Sequence, residues 1–155
     1  MWLITRKLHL PVDAARPSLY KRLLILCLMS LALSAQAEEH FLGQMHVHTP
    51  AELATFLQRA ETWAEENPDY PENAISVVLH GPEAQAFVKD NYKQHRQLVD
   101  RAAKLDAFNV VDIKICETWM GMNQVQRNQL PAFIDTVPFG PAEEDRLIKA
   151  GYQKF

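Results

Sequence analysis

The sequence predicts an α/β fold of three layers, a mainly parallel sheet of about five strands covered by helices. Three observations predict it. Short apolar runs suited to strands alternate with amphipathic helical stretches across residues 41–155, and that alternation implies right-handed parallel crossovers under flanking helices. One run, "AISVVL", is almost continuously apolar, as a strand covered on both faces should be. The chain has 155 residues, 48% hydrophobic and 23% charged, enough for one compact domain with its own core.

Each element has a local reason. "GQMHVH" reads as the first strand, with His46 and His48 two residues apart on one face. Thr49 as N-cap, Pro50 at the first helical position and Glu52 at the third make a capping box. Leu53, Phe56, Leu57, Ala60 and Ala64 then recur at helical spacing until Pro68 and Pro71 end the helix. After "AISVVL", Gly81 and Pro82 break the strand and open a helical stretch over residues 83–108, broken near Asp90 and Asn91, with Leu98, Ala102 and Leu105 as its inner stripe.

Residues 110–116 alternate, with Val111, Ile113 and Ile115 on one face and Asp112, Lys114 and Cys116 on the other. One face is buried and the other only partly covered. A helix begins at Glu117 or Thr118 and cannot pass Pro131 intact, and "FIDTVP" supplies a fourth strand. "GPAEEDRLIKAGY" is a last helix, with acids in its first turn, Lys149 in its last and Gly151 as its cap. Tyr152 to Phe155 add a short edge strand.

Residues 1–37 stand apart from the domain at 38–155. Lys21 and Arg22 precede an apolar run from Leu23 to Leu33, and Ala35-Gln36-Ala37 then leads into Glu38 and Glu39. This is the order of a cleavable secretory signal, too short to span a membrane, with cleavage expected after Ala37. The expected location is periplasmic or secreted, with no membrane association after cleavage. Cys27 follows Leu26, where a lipoprotein signal wants a small residue, so no lipid anchor is expected.

Removing the leader takes five of the 16 Lys and Arg and one of the 19 Asp and Glu, which leaves a formal net charge of −7. A domain this acidic, without a basic stripe, argues against nucleic acid as a partner. Of two cysteines only Cys116 remains in it. In an oxidising compartment an odd cysteine suggests an intermolecular disulfide or a reactive thiol, and the plain alternative is a thiol packed as a small hydrophobe.

Position favours the reactive reading. Cys116 closes one strand and His80 closes another, so both reach the carboxyl rim of the sheet, where α/β folds bind their ligands. A helix starting beside Cys116 favours the thiolate and Glu117 opposes it. His80 is the possible proton partner, and the two are the expected catalytic residues. For His80 the alternative is a capping role, its ring on a loop carbonyl and Gly81 supplying the turn.

"ISVVLHGPE", "VDIKIC" and "VPFGPAEEDRLIKAGY", in this order and at these separations, resemble the DsrE/DsrF-like family, including its secreted single-domain members. The likeness covers most of residues 41–155. It implies a flavodoxin-like sheet, homo- or hetero-oligomers and, from the sulfur-relay members, a cysteine that carries sulfur as a persulfide between a donor and an acceptor protein. That role maps onto Cys116 alone.

Two other readings stand beside the sulfur carrier. One is a Cu(I) site using Cys116 with Met120, Met122 or the first-strand histidines, since thiolate and thioether are the right ligands. There is no CxxC, no HExxH and no second cysteine in the mature chain, so no resident metal is expected. The other is a non-enzymatic oligomeric module, in which Trp119 or Phe139 anchors a subunit contact. No glycine-rich phosphate loop and no nucleophile elbow occurs, so no cofactor is expected. "EENPDYPEN" reads as a solvated loop.

Overall fold

The computed structural model describes residues 39–155; the leader, its apolar run and the cleavage position after Ala37 lie outside the described residues. Five strands form one sheet: β1 (Phe41–Gly43), β2 (Ile75–Leu79), β3 (Val111–Cys116), β4 (Asp135–Val137) and β5 (Gln153–Lys154). Every pairing is parallel and the spatial order is β4-β3-β2-β1-β5. The helices are α1 (Pro50–Glu66), α2 (Tyr92–Ala107), α3 (Glu117–Met122) and α4 (Gly140–Lys149).

This order explains the layers. From β1 to β4 the chain steps in one direction across the sheet, so right-handed crossovers place α1, α2 and α3 on one face. The return from β4 to β5 runs the other way and puts α4 on the opposite face. The large core follows from this: Leu53, Phe56 and Leu57 of α1 and Leu98, Ala102 and Leu105 of α2 pack on Ile75, Val77, Leu79, Ile113 and Ile115. Across the sheet the core is thin, with Leu147 of α4 on Leu42, Val78 and Val137. The architecture is the three-layer α/β class read from the sequence, although its strand order differs from the 2-1-3-4-5 of flavodoxin itself.

The strand patterns match their burial. All five residues of β2 are buried, while β3 buries Val111, Ile113 and Ile115 and half-buries Asp112 and Lys114. On that partly covered face Lys114 Nζ lies 2.9 Å from Asp112 and 3.5 Å from Glu143 of α4. Burial would lower the Lys114 pKa, but the two carboxylates outweigh it and hold the ammonium above its ordinary value.

Several elements differ from the sequence reading in extent. The first strand is Phe41–Gly43, and "GQMHVH" beyond Gly43 is loop. Its backbone N–H groups at His46, Val47 and His48 donate to the Glu52 carboxylate at 2.8, 2.9 and 2.9 Å, so they are not available to a strand ladder. His46 and His48 therefore share no strand face, and His48 takes a left-handed φ of 54°. Thr49 caps α1 as expected, its Oγ1 accepting the Glu52 N–H at 3.2 Å.

The helical stretch after β2 begins as a tight 3₁₀ segment, Pro82–Phe87, and breaks at Val88, whose ψ of 125° is extended. The break lies two residues before the expected Asp90. The helix after Cys116 has six residues and ends at Met122, far short of Pro131. Asn123 turns it off, donating its side-chain amide to Trp119 O at 2.8 Å, and Gln124 then adopts a φ of 56°. Met120 packs in the core, whereas Met122 is 81% exposed.

The closing segment follows the sequence closely. Gly151 stands two residues past the end of α4, after the C-cap Ala150, at φ 99°, with its N–H on Ile148 O and the Tyr152 N–H on Leu147 O, a Schellman cap. β5 then pairs with β1, and Phe155 enters an aromatic cluster with Phe41, Phe56 and Trp63. The Arg59 guanidinium lies 4.7 Å over the Phe155 ring.

Candidate functional site

The carboxyl ends of β1 to β4 share one rim, and the two residues expected there are both on it. Leu79 pairs with Ile115 across β2 and β3, so His80 and Cys116 leave adjacent strands at the same level. The residue between them is Gly140, the first of α4. Its N–H donates to Cys116 Sγ at 3.2 Å, and a β-carbon on it would lie 2.9 Å from His80 Cβ. Only a glycine lets the chain fit this closely against both. Cys116 is a free thiol and only 2% exposed.

The helix beside Cys116 is too short to contribute as the sequence suggested. Six residues make under two turns, and Glu117 at its start is bonded through Oε1 to the Thr136 hydroxyl at 2.9 Å. The electrostatic partner of the sulfur is the Gly140 amide, the first N–H of the ten-residue α4, rather than the helix that follows Cys116.

Around His80 the structure assembles three residues, His48, Glu83 and Glu144; sequence reasoning named His48 only as a candidate Cu(I) ligand and missed the two glutamates. His48 comes from the β1 loop, Glu83 from the 3₁₀ segment after β2 and Glu144 from α4. Glu83 is fully buried, yet its Oε1 accepts N–H groups from His80 at 3.1 Å and Gly81 at 3.0 Å and lies 3.2 Å from His48 Nδ1. Its Oε2 is buried with no hydrogen-bond partner. That oxygen would sit 2.6 Å from a Gly81 β-carbon, and His48 Cβ would sit 2.7 Å from it.

Gly81 is thus required by close approach and not by a turn, since its φ of −125° suits any residue. The capping expectation for His80 is corrected in the same way. Its backbone N–H is held by Glu83, while its ring faces the His48 ring at a centroid separation of 4.7 Å and its Nε2 lies 3.5 Å from Glu144 Oε1. The two histidine side chains are 27% and 24% exposed, so solvent reaches the pair from outside.

The electrostatics follow from this burial. Desolvation raises the Glu144 carboxyl above its ordinary range, with His80 and His48 pulling the other way. At Glu52, burial also acts upward, but the three loop N–H groups win and hold the carboxyl below its usual value. The rim therefore holds a thiol with a backbone donor, two imidazoles in ring contact and a carboxylate on each side of them.

A sequence signal for the missed glutamate does exist. Glu52 in "TPAE" and Glu83 in "GPE" each stand in the first turn of a helical segment opened by proline, a position from which a carboxylate reaches back to the preceding N–H groups. No comparable signal marks His48 or Glu144. Among the described residues no group of three or more His, Cys, Asp or Glu is placed to hold a metal ion, and Met122 and His46, named for a Cu(I) site, are both exposed.

No family and no curated protein matches the chain. It is similar to the solved structure of a protein of unknown function, MTH1491 from Methanobacterium thermoautotrophicum, with a TM-score of 0.57 and 12% identity, over 75% of this chain and 94% of that one. At that identity the likeness is one of fold, and the fold is the three-layer α/β sandwich described above.

Proposed function

We propose that this is an exported DsrE-like protein that carries sulfur as a persulfide on Cys116, exchanging it with a donor and an acceptor protein. The observation that carries this reading is the Gly140 N–H aimed at Cys116 Sγ, 3.2 Å away, beside His80 on the carboxyl rim. A fixed donor is complementary to charge developing on the sulfur during attack or departure, and nucleophilic transfer needs thiolate character at such a place. His80 is the neighbouring proton partner.

Access is part of the proposal. With the thiol 2% exposed and the Gly140 N–H upon it, transfer requires the start of α4 to move away from the sulfur. Partner docking supplies that displacement.

The test is intact mass measurement of the reduced protein after exposure to a low-molecular-weight persulfide, with Cys116→Ser as control. One added sulfur, removed by reductant and absent from the variant, supports the carrier. An unmodified Cys116 sinks it. The burial of the thiol favours one second reading, a non-enzymatic oligomeric module. A homo-oligomer in gel filtration whose Cys116 stays closed to thiol reagents is its signature.

A further inference from the structure

We propose that His48 is a second acid–base group of the Cys116 site, held by the buried carboxylate of Glu83 and in ring contact with His80. The inference rests on the sulfur-carrier reading for its reaction but on separate residues for its evidence.

Glu83 is a carboxylate at zero exposure whose Oε1 already receives two backbone N–H groups. With such an acceptor 3.2 Å from His48 Nδ1, that nitrogen is the donor, and Nε2 is the one left to exchange protons. A carboxylate orienting an imidazole is the arrangement that fixes a general base. The second Glu83 oxygen is buried without a hydrogen-bond partner. Such a group is costly to bury for packing alone.

The local backbone points the same way. His48 sits at φ 54°, a conformation unfavourable for most side chains, and Gly81 carries no β-carbon where one would strike both His48 and Glu83. Strain at one residue and a vacated side chain at another both serve to bring the imidazole onto Glu83 and His80. A proton on the imidazole pair lies between Glu83 at one end and Glu144 at the other. Other titratable groups near the pair are Glu52, which takes the His48 N–H, His46 in the same loop, Asp145 beside Glu144, and Cys116 across Gly140.

The reaction balances without an external oxidant. Cys116 Sγ attacks the outer sulfur of a donor persulfide, the Sγ–S bond forms, and the donor S–S bond breaks with its electron pair leaving on the donor thiolate. The proton given up by Cys116 rests on the histidine pair and is returned to that thiolate. General acid–base assistance of this kind is worth on the order of 10²–10⁴ in rate.

The experiment is single-turnover sulfur transfer from glutathione persulfide to the protein, across pH 5.5–9, for wild type, His48→Asn and Glu83→Gln. Asn is chosen because it tolerates the left-handed backbone, and thermal melts of each variant report folding. We expect His48→Asn to slow transfer at least tenfold and to flatten the pH profile, and Glu83→Gln to do the same to a smaller degree, with the final sulfur content unchanged. A purely structural role would lower the melting temperature and leave the shape of the profile alone. Alkylation of Cys116 by iodoacetamide over the same pH range is run in parallel. If wild type takes up no sulfur, the carrier reading fails, and the alkylation profiles still decide the role of His48. Variant profiles within twofold of wild type at every pH, or a thiol closed to both reagents, would overturn the proposal.

Discussion

Cys116 and Gly140 are joined by a backbone N–H donated to sulfur over 3.2 Å, and the same glycine is pressed against His80. One small residue at the start of α4 thereby sets the surroundings of both groups that close β2 and β3. A side chain there must displace something.

Gly140→Ala is expected to destabilise the protein by about 1–3 kcal/mol, the usual cost of forcing extra volume into a packed site. Its new methyl would sit 2.9 Å from His80 Cβ. Because the shift also loosens the Cys116 contact, alkylation of the thiol should become faster. Denaturant melts and alkylation rates check the two halves of this prediction separately.

The glycines at positions 81 and 121 should respond in opposite ways to alanine. At Gly81 the new atom meets Glu83 Oε2 at 2.6 Å and His48 Cβ at 2.7 Å, whereas at Gly121 nothing lies within 4 Å. Gly81→Ala should cost about 2 kcal/mol. Gly121→Ala, within α3, should be neutral or stabilising by up to about 1 kcal/mol through helix propensity and a less flexible unfolded chain. Equal effects in chemical denaturation would contradict the geometry.

Glu52→Gln tests the carboxylate that organises the β1 loop. The folded pKa of Glu52 is lowered, so its contribution is present above the unfolded value of about 4.5 and is lost as pH falls through the lower folded value. The variant should be less stable than wild type at pH 7, by about 1 kcal/mol on the scale of lost helix-end caps. The gap should close below pH 4.5. A gap that persisted undiminished at pH 2.5 would show that charge is not its source.

Glu144→Gln should behave in the reverse sense. Burial raises the folded pKa of Glu144, so the folded state binds more protons than the unfolded one and stability falls as pH rises from about 4.5 through the raised value. Removing the titrating group should therefore flatten the decline in melting temperature over that interval. An unchanged slope would locate the decline in other groups.

Phe155→Ala is expected to cost about 2–3 kcal/mol, less than a fully buried aromatic truncation because the ring is only partly buried. It contacts Phe41, Phe56 and Trp63 and carries Arg59 over one face. Arg59→Ala should cost under 1 kcal/mol, the scale of an exposed cation–π contact. Thermal melts of the two variants establish the ranking.

What the sequence determined by itself is whatever local spacing encodes. The period-two alternation of Val111, Ile113 and Ile115, the unbroken apolar run of β2, the Thr49 cap and the Gly151 stop each depend on neighbours a few residues away. Strands alternating with helices then imply the parallel sheet, and strand ends imply a rim carrying His80 and Cys116. Tertiary structure alone decided that β2 and β3 are neighbours, that Gly140 returns from the far end of the sheet to sit between their last residues, and that Cys116 is closed over. It also decided the fate of "GQMHVH". Periodicity allowed a strand there, but Glu52 took its N–H groups, and a backbone donor bound to a carboxylate cannot serve a ladder. His48 was thereby turned onto Glu83, 35 residues away. Contacts at that separation are set by strand order and close approach, which no local pattern of residues carries.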